Sequence, residues 1–185
     1  TDIVVDVRPT TGDVLFKTNL VDQVKFMYAW IGSNYTKVER TATWDYLQAF
    51  VDEARKQGLR IHAAINTFVG GNQIDGGTGL LYRDQSKAEW ATQMNMQVGI
   101  TSVMNTSEST KFFNPAHPEV QTFLCDLLKD LAGYDLDGIF LDRGRFLNLQ
   151  ADFSEESRKQ FEEYMGGIRI QNYPNDILAP GASSL

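Results

Sequence analysis

The sequence predicts an α/β fold in which parallel β-strands alternate with helices. Three runs rich in apolar residues, at positions 3–8, 59–66 and 137–142, have the length and composition of buried strands. A segment with helical spacing of apolar residues precedes the second run, another precedes the third, and each ends at a glycine. A closed barrel of this kind needs eight strands, so three strands leave two architectures open: part of a larger barrel, or a smaller open α/β domain.

The bulk composition fits one globular domain over residues 1–185, with 42% hydrophobic and 22% charged residues. The net charge of −7 argues against a nucleic-acid partner, since binding phosphates requires a basic face. No run of 18 apolar residues is present to span a membrane. Two scattered histidines and Cys125 give no metal-ligand spacing, and Cys125 fits a small core position. We therefore expect neither a metal nor a cofactor, and the oligomeric state cannot be read.

The first strand, residues 3–8, is closed by Pro9 and a turn at residues 10–13, and a polar, irregular segment is expected to about Thr43. Thr43 has the position of an N-cap for a helix that Gly58 ends. The apolar face of this helix consists of Tyr46, Leu47, Phe50, Val51 and Ala54. A helix that leads through a glycine turn into an apolar strand is typical of the αβ half of a βαβ unit.

A long irregular loop is predicted at about residues 70–113, with helical character from Ser86 to about Met96. A loop of this length inside a compact domain is usually functional. Its glycines lack the Gly-x-Gly-x-x-Gly spacing and the following lysine of phosphate-binding loops, which argues against a nucleotide site.

The strand–helix alternation continues after this loop. Residues 114–118 introduce a well-patterned helix that Gly133 closes, and the strand at 137–142 follows. Ser154 is then expected to cap a further helix.

The end of the chain is predicted from two patterns. The helix capped by Ser154 is expected to bury Phe161 and Tyr164. The tail from 170 to 185 contains two prolines and is expected to be extended.

Polar side chains stand near the carboxyl end of each predicted strand. Because side chains alternate along a strand, Asp6 and Arg8 share a face of the first strand, as do His62 and Asn66 on the second. Asp142 ends the third strand. If the strands are parallel neighbours, Arg8, Asn66 and Asp142 converge at one rim, and Asp6 and His62 lie one layer below. Catalytic groups of parallel barrels collect at this end of the strands.

This rim suits the hydrolysis of a glycoside, which needs one carboxylate at an oxocarbenium-like centre and usually a second carboxyl that donates a proton. Asp142 is the candidate for the first role, with Arg8 as the cation that keeps it ionised and oriented. Asn66 is placed to bond a sugar hydroxyl. Asp6 and Glu108 are candidates for the second carboxyl. In a third interpretation, the second carboxyl is not part of residues 1–185.

Several of these polar residues also have a structural interpretation. Asp142 can be a structural acid paired with Arg143 or Arg145, because ion-pair networks often imitate sites. His62 is as consistent with a satisfied core group as with a ligand contact.

The tryptophans and two further aspartates, outside the rim, have functional or structural interpretations of their own. Trp30 and Trp90 lie in segments expected to be irregular, where each is either a stacking platform for a sugar ring or a packing residue. Trp44 belongs to a helix start and is expected in the core. Asp135 and Asp137 flank the start of the third strand, at the end opposite the rim, and fit turn or stability roles.

A series of short motifs follows along the chain. They are a Val-Arg-Pro…Gly-Asp turn within 2–16, His-Ala-x-x-Asn at 62–66, Asn-Pro-x-His-Pro-x-Val at 114–120, Tyr-x-x-Asp-Gly-Ile-x-x-Asp at 134–142, and the segments 153–157 and 173–177. In this order they resemble the glycosyl-hydrolase-like family 10 barrels, bacterial proteins related to the amylase-type barrels.

The resemblance implies a (β/α)8 TIM barrel, of which this chain supplies about the second to fourth strands, and action on a carbohydrate. It places Asp142 at the nucleophile position after the fourth strand. Phe140 departs from the pattern, since amylase-type sites commonly carry arginine there and the closer family often histidine. The strand that usually carries the acid/base group is not evident. The family also implies an exported protein.

The leading hypothesis is a glycoside hydrolase acting on a poly- or oligosaccharide, with Asp142 as nucleophile or stabilising carboxylate. The residues expected to position Asp142 or the sugar are Arg8, His62, Asn66 and Arg143. A non-catalytic carbohydrate-binding barrel is the alternative, and a small open-sheet domain without sugar chemistry is the third hypothesis. The sugar, the linkage and the stereochemical outcome do not follow from the sequence.

Overall fold

The computed structural model describes residues 1–179. In chain order the strands are β1 (Asp2–Arg8), β2 (Phe26–Ile31), β3 (Asn34–Glu39), β4 (Arg60–Asn66), β5 (Val69–Asn72), β6 (Gln93–Met96), β7 (Gly99–Ser102), β8 (Thr110–Phe112) and β9 (Gly138–Asp142). The helices are α1 (Tyr46–Lys56), the single turn α2 (Leu80–Arg83), α3 (Pro118–Leu131) and α4 (Glu155–Tyr164).

The predicted parallel sheet is confirmed, in the strand order β1–β4–β9. Its register sets Val4 beside His62 and His62 beside Gly138, while Asn66 lies beside Asp142. The strand β1 carries an irregularity after Asp6, where the pairing register with β4 shifts by one residue. Such a bulge reverses the face to which the following side chain points.

Both crossover helices pack on one face of this sheet. Strand β1 contributes Val5 and Val7 to the core, and β4 contributes Ile61, Ala63 and Ile65. The same cluster receives the apolar faces of α1 and α3, which are Leu47, Val51, Ala54, Val120, Phe123, Leu124, Leu127 and Leu131. The opposite face is uncovered within residues 1–179. There Val4 and Phe140 are each 59% exposed.

The helix α1 begins after Asp45, not after Thr43 as predicted. The Asp45 carboxylate accepts a hydrogen bond from the Gln48 amide (3.1 Å) and another from the Tyr134 hydroxyl (2.7 Å). An aspartate at the N-cap satisfies amide groups that the first helical turn leaves free. Gly58, in the left-handed region with a φ of 66°, follows the helix as expected.

A β-hairpin replaces the irregular segment expected before Thr43. Strands β2 and β3 pair antiparallel from Phe26 opposite Glu39 to Ile31 opposite Asn34. A two-residue turn joins them and begins with Gly32, whose φ is 62°. Two-residue turns with glycine match the right-handed twist of paired strands, so this turn fixes the hairpin register.

The segment 70–113 is more ordered than the predicted loop. Strand β5 pairs with β8, and β6 pairs with β7, all antiparallel. The predicted helix at residues 86–96 is instead a 3-10 helix, Gln85–Trp90, followed by β6. Gly79 lies so close to the Gly70 carbonyl that a β-carbon there would stand 2.5 Å from the oxygen. These small residues let the chain fold back on itself tightly.

The helix α3 begins after His117, whose Nδ1 accepts from the Glu119 amide at 3.2 Å. Two side-chain placements differ from expectation. Cys125 is exposed rather than in the core, because it lies outside the apolar face of α3. On α4, Phe161 (42%) and Tyr164 (85%) are exposed, although both were expected to be buried.

Glu162 occupies the buried side of α4. Its carboxylate accepts from the Ile170 amide at 2.9 Å and from the Arg169 guanidinium at 2.7 Å. The tail is turned, not extended, up to residue 179, since the amides of Ile177 and Leu178 both donate to the Pro174 carbonyl. The rest of the predicted extended tail, residues 180–185, lies outside the described residues.

At the amino-terminal end of the sheet, Arg55 of α1 forms ion pairs with Asp135 and Asp137, each at 2.8 Å. The Asp137 carboxylate also accepts from the Ile61 amide. This amide, followed by the Arg55 guanidinium, lowers the pKa of Asp137. The two acids therefore join the crossover helix to the starts of two strands, which agrees with their predicted structural roles.

Candidate functional site

Two carboxyl groups stand on the uncovered face of the sheet, toward the carboxyl ends of the strands. Asp6 lies in the row Asp6–Ala64–Phe140, and Asp142 lies one row farther along, beside Asn66. Two strand spacings of about 4.8 Å separate β1 from β9, so the two main chains are about 10 Å apart across the sheet. Both side chains point away from the helices, into the space in front of this face.

Asp142 is exposed at the last position of β9. One carboxylate oxygen accepts from the amide of its neighbour Arg143 at 2.7 Å, and the Asp142 main-chain oxygen accepts from the Thr67 amide at 2.7 Å. Arg143 has a φ of 48°, which is unfavourable for a residue with a side chain. The chain thus turns sharply at the carboxylate, as is common where backbone strain accompanies a functional group.

The ion-pair interpretation of Asp142 has no support among the described residues. Neither Arg143 nor Arg145 lies within ion-pair distance of its carboxylate there. Arg145 instead donates to the carbonyls of Phe146 (2.9 Å) and Leu147 (2.6 Å). The carboxylate of Asp142 therefore faces the open side of the sheet.

Asp6 has a raised pKa. The first cause is the partial burial of its carboxyl group, which penalises the charged form, and the negative charge of Asp142 adds to it. A hydrogen bond from the Arg8 amide (3.1 Å) acts in the opposite direction. Burial is thus the main cause of the raised pKa of Asp6, and the negative charge of Asp142 is a smaller one.

Arg8 lies elsewhere than the rim where it was expected. The bulge after Asp6 turns its side chain inward, where it is fully buried. Its guanidinium donates to the main-chain carbonyls of Asn66, Thr67 and Val69. Burial lowers its pKa to about 10. Arg8 therefore holds the turn that follows β4, and its hydrogen bonds go to carbonyls rather than to Asp142.

Asn66 is also less available than predicted. It is 6% exposed, and its side-chain amide donates to the Arg8 carbonyl at 2.9 Å. The next residue, Thr67, has a buried hydroxyl without a hydrogen-bond partner among the described residues. The Thr67 amide bonds the main chain of Asp142, so this unpaired hydroxyl belongs to a residue next to the acid. The alternation of side chains along the strands did not indicate it.

His62 lies in a different layer of the sheet from Asp142. It pairs with Gly138, four residues before Asp142 along β9, which corresponds to about 13 Å of strand. The imidazole packs against Gly138, where a β-carbon would be 2.9 Å from its Nδ1. The structure thus places His62 two layers below Asp142 and one layer below Asp6, whereas His62 and Asp6 were expected in the same layer.

The three tryptophans differ strongly in exposure. Trp30 is 70% exposed on β2, where its ring lies 5.3 Å from that of Tyr35. Trp90 is only 6% exposed and packs against Phe113 at 5.9 Å, so it is a core residue and not the sugar platform considered for it. Trp44 is 55% exposed, although a core position was expected.

A groove of about 510 Å³ runs along the free edge of β1 and brings Asp6 together with rings of the hairpin. The rings of Tyr28 and Tyr35 line it and stack on each other at 5.3 Å. The Tyr28 hydroxyl donates to Asp75 at 2.8 Å. Aromatic faces beside a carboxyl group can pack against the apolar face of a sugar ring. The alternation of aromatic residues in 26–35 is the sequence pattern from which this aromatic face of the hairpin could have been predicted.

Glu108, the other candidate for a second carboxyl, lies in the connection from β7 to β8, between a 3-10 turn at Val103–Asn105 and β8. Its negative charge acts on Lys111, a buried lysine whose ammonium donates to the carbonyls of Val103 and Thr106, both at 3.0 Å. Glu108 thus lies near a lysine of its own loop, on a different segment from the parallel sheet. Asp6 is therefore the carboxyl group that the sheet register associates with Asp142.

Two further features are absent from residues 1–179. No group of three or more His, Cys, Asp and Glu side chains in this part is arranged to hold a metal ion. No helix in the same part is both long enough and apolar enough to cross a membrane.

Comparison with known proteins gives two matches. A family model described as "Glycosyl hydrolase-like 10" matches residues 2–175. An "S-layer-related protein" of Niallia circulans is 30% identical over 186 residues, an alignment that covers 96% of this chain and 11% of that protein. The chain thus spans a small part of the length of this curated relative.

Proposed function

The chain belongs to the glycosyl hydrolase-like 10 family, and we propose from this premise that it contributes the acidic site of a carbohydrate-hydrolysing (β/α)8 barrel. In this proposal Asp142 is the nucleophile or stabilising carboxylate, and Asp6 is the proton donor. The substrate is a poly- or oligosaccharide.

The barrel part of the proposal rests on how the sheet is covered. Strands β1, β4 and β9 are neighbours in the sheet in the order in which they follow along the chain, and the helices α1 and α3 between them pack on one face. A doubly wound open sheet carries helices on both faces, whereas a barrel leaves the inner face free of helices. Exposed apolar residues on the uncovered face, such as Val4 and Phe140, fit the interior of a closed barrel.

The chemical part rests on one observation: Asp6 and Asp142 share the uncovered face near the strand ends, and the pKa of Asp6 is raised, first by partial burial and then by the charge of Asp142. Glycoside hydrolysis requires a carboxyl group that is still protonated and a second one that is ionised. Asp6, whose pKa is raised, suits the protonated role. The exposed position of Asp142 leaves room for a sugar ring in front of it.

The hairpin supports a path for the glycan. Trp30, Tyr35 and Tyr28 form a row of rings that leads toward the groove containing Asp6. In a closed barrel the lower, apolar part of this groove, at Val5 and Phe50, would receive the neighbouring strand and helix. Asp6 and the rings would then remain at the mouth of the barrel.

A non-catalytic carbohydrate-binding barrel is the second candidate, and Phe140 favours it. This residue is 59% exposed in the same row as Asp6, two residues before Asp142, at a position where amylase-type sites commonly carry arginine. The name of the Niallia circulans relative refers to an S-layer. We extend this setting to the present chain, so that a glycan of the bacterial cell surface is the proposed target in either case.

Replacing Asp142 by asparagine separates the candidates. Reducing ends released from a panel of polysaccharides measure turnover, and affinity electrophoresis measures binding. An enzyme should lose at least about a hundredfold in turnover on Asp142→Asn and retain its affinity. The control is Asp52→Asn, an exposed position on α1, which should change neither quantity.

The other outcomes of the same experiment are equally defined. Binding without turnover in the unchanged protein would support the binding barrel and contradict hydrolysis. Neither binding nor turnover on any glycan would contradict the carbohydrate role itself.

A further inference from the structure

We propose that the cleft between α1, α3 and the end of the β2–β3 hairpin is a second carbohydrate-binding site, for a neutral oligosaccharide. Its volume is about 880 Å³, larger than the groove beside Asp6. Its lining includes Lys17, Lys25, Arg40, Trp44, Asp45 and Asp130. This site is distinct from the proposed acidic site, because its lining does not include Asp6 or Asp142.

The aromatic wall of this cleft is Trp44. Its side chain is 55% exposed, and its ring lies nearly parallel to that of Tyr46, with an interplanar angle of 13° and centroids 6.1 Å apart. Arg40 donates to the Trp44 carbonyl at 3.1 Å and to Gln23 at 3.3 Å. The main chain at Trp44 is thus held by Arg40, and its ring is stacked beside Tyr46, before any ligand arrives, which reduces the entropy lost on binding. A fixed and exposed aromatic face of this kind can stack on a sugar ring.

The floor of the cleft is a chain of hydrogen bonds. The Lys17 amide donates to the Tyr134 hydroxyl at 2.9 Å, and this hydroxyl donates to Asp45 at 2.7 Å. Burial, together with the bond to Asp45, raises the pKa of Tyr134 to about 12. The Thr18 hydroxyl donates to Asp130 at 2.6 Å. The polar groups at the base of the cleft therefore have fixed positions.

The charges of the lining select the class of ligand. Three cations, Lys17, Lys25 and Arg40, are matched by three acids, so the formal charges cancel. Sugar hydroxyl groups both donate and accept hydrogen bonds, and thus match a mixed set of ammonium, guanidinium and carboxylate groups. A phosphate or a polyanionic glycan would require an excess of positive charge. A neutral glycan fits this balance.

The position of the cleft implies a role in holding a polymer. It is lined by Asp45 and Asp130, which cap or end helices on the covered side of the sheet. The acids Asp6 and Asp142 are on the opposite face. Two separate sites for one polysaccharide raise the effective concentration of the second contact once the first has formed.

The test is titration calorimetry of the protein with four neutral hexasaccharides, derived from β-1,4-glucan, α-1,4-glucan, xylan and chitin. We expect Trp44→Ala to weaken the binding of at least one of them by tenfold or more, and Trp44→Phe to restore most of the loss. Ile31→Ala, which truncates an apolar side chain of similar exposure on the hairpin, is the control and should have no effect. Circular dichroism should show the same fold for all variants.

Three results would overturn the inference. They are unchanged binding in Trp44→Ala, equal losses in Trp44→Ala and Ile31→Ala, and tighter binding of hexagalacturonate than of every neutral hexasaccharide. The experiment is independent of the proposed hydrolysis. Binding that depends on Trp44 in a protein without turnover would leave this inference standing and contradict only the catalytic proposal.

Discussion

Gly138 lies directly against His62 across the β4–β9 pair, with no room for a side chain between them. A β-carbon on Gly138 would be 2.9 Å from the imidazole Nδ1, closer than real β-carbons approach other atoms. This contact explains why a glycine begins the third parallel strand, where glycine otherwise weakens pairing. It also identifies the layer of the sheet in which His62 lies.

Gly138→Ala should destabilise the protein because the new methyl group must displace the imidazole. We expect a loss of about 1–3 kcal/mol in the free energy of unfolding, the usual cost of overpacking. Urea denaturation measures it. In a His62→Ala background the same change should be nearly neutral, since the obstacle is removed. Equal losses in both backgrounds would show that the contact does not exist.

Arg8→Met should destabilise the protein through the turn after β4. The change leaves the carbonyls of Asn66, Thr67 and Val69 without their buried donor. We expect a loss of about 3 kcal/mol or more in the free energy of unfolding, since each unsatisfied buried acceptor is costly.

The matched control for Arg8 is Arg60→Met. Arg60 forms an exposed ion pair with Asp2 at 2.6 Å, and its removal should have a much smaller effect. Equal losses in the two variants would contradict the clamping role of Arg8.

Asp6 should make stability depend on pH in a particular direction. Its pKa is raised in the folded protein, so the folded state holds this proton more tightly than the unfolded chain. The resulting stabilisation is complete below the ordinary aspartate value of 3.8 and is lost as pH rises through the raised value. Asp6→Asn should remove this loss, so denaturation curves of the two proteins should diverge upward from about pH 4. A constant difference at all pH values would contradict it.

Glu162 should act in the opposite sense. The Ile170 amide, followed by Arg169, lowers its pKa, so its stabilising effect is present above the ordinary glutamate value of 4.5 and is lost at lower pH. Glu162→Gln should lower the thermal midpoint at pH 7, and the difference should shrink below pH 4.5. Glu163→Gln, at the exposed neighbouring position, should show no such difference. A pH-independent effect of Glu162→Gln would point to packing instead.

The parallel sheet could be predicted because each of its strands and helices is recognisable from a short stretch of sequence. Each strand is a short apolar run, and a helix with regular apolar spacing precedes the second and third strands. Asp6 and Asp142 were placed on one face by alternation, and no bulge interrupts the pairing of β4 with β9. The alternation of side chains along the strands was therefore sufficient to predict that both acids lie on one face.

Arg8 and Asn66 show where parity is insufficient. The bulge after Asp6 redirects Arg8, and no residue type in the run 3–8 marks it. Asn66 keeps the expected parity, but the main chain of β1 occupies its amide group. Both outcomes depend on contacts between segments 58 residues apart in the sequence.

The hairpin could have been recognised from the sequence. Residues 26–31 and 34–39 alternate in character, and a glycine-containing pair of residues separates them, which is a hairpin signal. The exposed fractions of the Trp44 and Trp90 side chains could not be predicted from such a local pattern. They depend on which elements pack against the two rings, and the local pattern gives no information about that.

The most direct test of the account is the pKa of Asp6, measured by carbon-13 NMR titration of its carboxyl group in the protein and in Asp142→Asn. The account predicts a pKa above 3.8 in the unchanged protein and a lower one in Asp142→Asn, because the neighbouring negative charge is removed while the burial persists. The same pKa in both proteins would show that the two acids do not interact, and would contradict a common acidic site.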